Sequence, residues 1–148
     1  MTDFDGTSGQ AYREAICAIG RRLWQRGMAD AGSGNISVRL GPDRYLCTPT
    51  GVSKGFLRPE DLPVVDGSGS TVDGQTRPSS EIRMHLRVYR VDPTVAAVVH
   101  AHPVYATAWA IKGEAICGRL LPETAVLLPE VPVAAYGTPS TEAVPDSV

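Results

Sequence analysis

The residues best suited to chemistry lie between positions 79 and 102 of a chain of 148 residues. His100-Ala101-His102 ends a β-branched run. A strand repeats its side chains every two residues, so both imidazoles point to one face and can reach one metal ion. Catalytic zinc sites use three protein ligands and keep one position open, which leaves one ligand to be found. His85 follows Glu81 by about one helical turn and shares its face. That spacing permits a ligand role, although a packed histidine in an amphipathic helix is the commoner outcome. Glu81 follows Pro78-Ser79-Ser80 at a helix start, where hydroxyls and unpaired N–H groups can receive an anion. Its plain alternative is a carboxylate complementing the helix dipole. Ser33-Gly34-Asn35 and Thr50-Gly51 are glycine turns with a polar side chain. Each can present backbone N–H groups to a phosphate, and each taken singly is equally an ordinary turn.

These residues need elements to hold them. Thr7 and Gln10 have capping-box spacing, and Tyr12, Ala15, Ile16, Ile19 and Leu23 repeat at three and four while Arg13, Glu14, Arg21, Arg22 and Arg26 face away. This pattern predicts a helix over 8–27 closed by Gly27. Ile36, Val38 and Leu40 alternate with Ser37 and Arg39, and YLCTPT follows a Gly41-Pro42-Asp43 turn, so the two runs read as a hairpin. GVSKGFLRPEDL is punctuated loop with one helical turn, and PVVDGSGSTVDG is an exposed strand with a Gly/Ser tip. A second helix starts at Ser79 and stops before Asp92-Pro93. VAAVVHA reads as a buried strand, and Pro103 opens a third helix that Gly113 ends. The order of strands and helices predicts a layered α/β domain.

Composition removes several classes of function. Fourteen basic against sixteen acidic residues give a net charge of −2, with nothing to attract a nucleic-acid backbone. Three cysteines, in no paired arrangement, argue against a disulfide framework and a cysteine-based zinc site, and for a reducing compartment. The start lacks the features of a signal peptide and the longest apolar run is too short for a bilayer, so a cytoplasmic protein without membrane contact is expected.

Taken in order, GSGNISVR, TPTGVSKG, RPSSEIRMH and VVHAHP resemble the class II aldolase/adducin family, which includes fuculose-phosphate aldolase and ribulose-5-phosphate 4-epimerase. The resemblance runs from the first helix to about Ser140. It implies a three-layer α/β/α fold with a mostly antiparallel central sheet, commonly assembled as a homotetramer with active sites at subunit boundaries. It also implies that Gly34, Asn35, Thr50, Gly51, Ser79 and Ser80 bind the substrate phosphate, that Glu81 is the acid/base carboxylate, and that His100 and His102 hold zinc, or manganese or cobalt in its place. The implied activity is cleavage of a carbon–carbon bond in a small phosphorylated sugar such as fuculose 1-phosphate, through an enediolate that the zinc ion stabilises. Epimerisation, dehydration or decarboxylation of sugar phosphates uses much the same pocket.

Two departures bear on that expectation. Family enzymes take a third zinc histidine from a later strand, and no histidine follows His102 here. Residues 1–148 are therefore expected to form a single domain lacking a C-terminal strand and helices, with Ser140 as the N-cap of a short last helix. GRLLPETAV also lacks the tyrosine that fuculose-phosphate aldolase carries in the matching stretch. A non-catalytic assembly module of the adducin kind is the expectation from a different class.

Overall fold

A computed structural model describes residues 6–139 and 141–147, and Ser140 lies outside the described residues. Helix α1 spans Gly6–Gln25. Strands β1 (Asn35–Gly41) and β2 (Arg44–Cys47) form the expected antiparallel hairpin, with Val38 opposite Leu46. Two single-turn 3-10 helices follow at Lys54–Phe56 and Pro59–Asp61. Next come β3 (Val64–Val65), β4 (Thr71–Asp73), α2 (Ile82–Val91), β5 (Ala97–His100) and α3 (Val104–Lys112). A small second sheet pairs β6 (Ile116–Cys117) with β7 (Glu130–Val131) around α4 (Pro122–Leu127), and α5 (Ala143–Ser147) comes last.

The main sheet has the order β4-β3-β2-β1-β5, and every pairing in it is antiparallel. Its two faces carry separate cores, as the two-residue strand period requires. Ile36, Leu46 and Val64 pack with Ile16 of α1 and with Leu57 and Leu62 on one face. Tyr45, Cys47 and Val65 pack with Ile82, Leu86 and Tyr89 of α2 on the other. Helix, sheet and helix thus make the three layers the resemblance implies. Each fully buried aliphatic in these cores stabilises the fold by roughly 1.5–3 kcal/mol over its exposed state.

Four local expectations are corrected. The inward face of α1 is turned by one residue, so Ile19 is exposed while Arg13 is half-buried and donates to the carbonyls of Pro59 and Leu62. The close approach at Gly20 explains the turn: a Cβ there would stand 2.6 Å from the Lys54 carbonyl oxygen. The stretch read as an exposed strand is a hairpin whose first strand is interior, Val65 being fully buried between neighbours on both sides. The predicted buried strand β5 is an edge strand, with Ala97 and Val99 exposed, because it pairs only with β1 among the described residues. Finally, α2 begins at Ile82 rather than Ser79. Residues 79–81 form a turn in which the Ile82 N–H donates to the Ser79 carbonyl.

Candidate active site

Asn35 starts β1 and faces His100 across the β1–β5 ladder. Its side-chain Nδ2 donates to Glu81 Oε2 at 2.5 Å and stands 3.2 Å from His100 Nδ1. His100 Nδ1 lies 3.1 Å from the same carboxylate oxygen. Glu81 occupies the N-cap position of α2 but makes no capping bond, with φ −100° and ψ 13° in the sparsely populated bridge region. The carboxylate reaches across to the sheet instead of serving its own helix. Hydrogen bonding from His100 is the chief cause that holds its pKa down at about 2, against the upward pull of burial, with Asn35 and the His102 charge adding to it. A His100 that donates from Nδ1 keeps the lone pair on Nε2 for a metal ion.

His100 and His102 share a face as expected, with ring centroids 4.8 Å apart and planes tilted by 43°. On their far side opens a cleft of about 380 Å³, walled by Ala106, Thr107 and Ala110 of α3 and by Ile116 and Val131 of the small sheet. Two imidazoles beside an ionised carboxylate suit a divalent cation by donor chemistry. Among the described residues, no three His, Cys, Asp or Glu side chains converge on one point. His85 does not supply the third. It is 1% exposed, its Nδ1 lies 2.7 Å from Ser37 Oγ, and burial lowers its pKa to about 4. Ser37 Oγ also meets Tyr89 OH at 2.7 Å, so His85 belongs to a buried polar link between α2 and β1.

The glycine turns and the serine pair come together from three parts of the chain. Pro49 and Pro78 form a β-bridge, flanked by bonds from Thr50 N–H to the Arg77 carbonyl and from Ser79 N–H to the Thr48 carbonyl. Gly32 meets Gly51 closely enough that a Cβ on the former would lie 3.9 Å from the latter's Cα. Ser79 is buried and its hydroxyl accepts the Glu81 N–H at 3.3 Å, whereas Ser80, Thr50 and Gly51 are exposed. Gly34 is buried at φ +68°, and a Cβ there would come within 2.8 Å of the His100 carbonyl oxygen. Sequence reasoning passed over Lys54. Its Nζ donates to the carbonyls of Gly32 at 3.2 Å and Val52 at 2.7 Å, so it ties the two turns together. Its signal was a lone lysine within GVSKG, one of only two lysines against twelve arginines.

The described residues contain no helix long and apolar enough to cross a membrane. The profile of the Class II Aldolase and Adducin N-terminal domain matches residues 14–148. The chain is 43% identical over 98 residues to a 3-oxo-tetronate 4-phosphate decarboxylase of Haemophilus influenzae, covering 66% of this chain and 46% of that protein. It is 45% identical over 92 residues to a methylthioribulose-1-phosphate dehydratase of Granulibacter bethesdensis, covering 62% and 43% respectively. The L-fuculose-1-phosphate aldolase of Thermus thermophilus superposes with a TM-score of 0.79 at 35% identity, over 92% of this chain and 67% of that one. The chain thus spans about half the length of the curated relatives it matches.

Proposed function

The chain belongs to the class II aldolase and adducin family, and from that premise we propose that it carries the site of a metal-dependent lyase acting on a small phosphorylated sugar. The observation that carries the reading is the contact of Glu81 and Asn35 with His100, which together with His102 lines the cleft. The phosphate end of the substrate docks at Gly34, Thr50, Gly51, Ser79 and Ser80, of which Thr50, Gly51 and Ser80 are exposed, and Asn35 joins that turn to the carboxylate. His100 and His102 would hold a divalent cation, zinc first and manganese or cobalt as alternatives. When bound, it supplies Lewis-acid polarisation of a substrate carbonyl. Glu81 accepts and returns a proton at the substrate carbon. Oriented by Asn35 and His100, it is held in place for that transfer.

Aldol cleavage of a sugar 1-phosphate is the leading reaction. Decarboxylation and dehydration, named for the curated relatives, need the same polarised carbonyl and the same proton transfer. A cytoplasmic homo-oligomer, in the family a tetramer, completes the reading.

The test is a panel of sugar phosphates assayed on the metal-loaded protein, beside Glu81→Gln and the His100→Ala/His102→Ala pair. Glu81→Gln is expected to lose roughly 10²–10⁴-fold in turnover with metal content unchanged. The double variant is expected to lose the metal. Turnover that survives Glu81→Gln would remove the carboxylate from its role. A protein that binds no metal and turns over nothing would favour the assembly module.

A further inference from the structure

Among the described residues Lys54 is the one lysine or arginine in the interior, at 2% exposure, and no carboxylate lies within ion-pair distance of it. An ammonium buried without a counter-ion is costly, and an apolar residue would fill the same space without that penalty. Its two bonds go to carbonyls of different turns, Gly32 in the first and Val52 in the second. A peptide whose oxygen is drawn inward sends its N–H the opposite way. The partner N–H groups are those of Ser33, which donates to the Asp30 carbonyl, and Ser53. Among the described residues no protein acceptor meets the N–H of Gly51, Val52 or Ser53, and Ser53 Oγ is buried without a partner. Free donors therefore gather around a cation that lacks its anion. Burial lowers the lysine's pKa, and the negative charge of Glu81 opposes that shift.

We propose that Lys54 is the positioning residue of the phosphate subsite: its buried ammonium clamps the two glycine turns and leaves a fixed positive charge beneath the free N–H groups of the second turn, a charge that a phosphate dianion neutralises. The proposal rests on the phosphate reading above and adds a residue and a selectivity to it. A dianion gains more from a fixed charge than a monoanion does.

The two lysines of the chain make the test direct. Protein labelled with ¹⁵N-lysine gives two ammonium signals, and exposed Lys112, paired with Glu114, serves as the internal control. On titration with inorganic phosphate, the Lys54 signal is expected to move along a saturating curve that matches the calorimetric Kd, while that of Lys112 stays in place. Lys54→Met is expected to weaken phosphate binding at least tenfold at unchanged helix content. Wild-type protein that binds no phosphate would overturn the phosphate reading, and this inference with it. Phosphate that binds with the Lys54 signal unmoved and the Lys54→Met affinity unchanged would overturn the inference alone, leaving the lysine a structural clamp. Should Lys54→Met fail to fold, the wild-type titration decides by itself.

Discussion

At the residue scale, two titratable groups on α2 have different duties. Glu81 is half-buried and bonded to the imidazole and amide across from it, so it stays ionised far into acid. His85, one turn further on, is fully buried and stays neutral. Its pKa is lower folded than unfolded, so the stability it contributes is complete above pH 6.5 and is lost as the pH falls through about 4. Over that window urea unfolding should lose up to about 3 kcal/mol. His85→Gln should flatten the slope there while leaving the loss below pH 4.5, to which Glu81 contributes. A slope unchanged in His85→Gln would remove the imidazole as its cause.

At the element scale, the site depends on how closely the turn before β1 approaches the end of β5. Gly34 makes that approach with a left-handed backbone and no room for a Cβ beside the His100 carbonyl. Gly34→Ala combines dihedral strain with a backbone clash and should cost about 2 kcal/mol in denaturant unfolding. It should also weaken metal binding, since His100 stands on the strand that must give way. Full metal affinity at full stability would show that β5 tolerates the displacement. The link of Ser37 to His85 and Tyr89 serves the same end, because it fixes α2 against β1 and with it the position of Glu81 opposite Asn35.

At the scale of the whole molecule, burial is unevenly distributed. The two cores draw on α1, α2 and the sheet, whereas α3 and α4 bury no residue. Tyr105, Ile111, Val126 and Leu127 are all more than 80% exposed or at that mark. Apolar surface on this scale marks a docking face, and the homo-oligomer proposed above would seat a second copy on it. Sedimentation equilibrium should therefore show concentration-dependent association that Ile111→Lys weakens. Because Ile111 is exposed, that substitution should leave monomer stability within about 0.5 kcal/mol. Association unaffected by the charge would place the contact elsewhere.

Part of this arrangement was legible before any fold was known, because local physics encodes it. The two-residue spacing left His100 and His102 side by side although β5 ends at His100, the turn residues set the β1–β2 hairpin, and the ordered segments were enough to identify the family. Which faces meet was decided in three dimensions. The turn of α1 about its axis depended on a glycine 34 residues before the lysine whose carbonyl it touches, and the exposure of β5 depended on the neighbours it has. Asn35, Glu81 and His100 are separated by 46 and 19 residues, and no periodicity links them. The role of Lys54 was the least legible. A charged residue in a glycine-rich loop reads as solvated until the fold brings the distant Gly32 carbonyl to it beside the local one of Val52, because burial is a property of the surrounding packing and not of the residue.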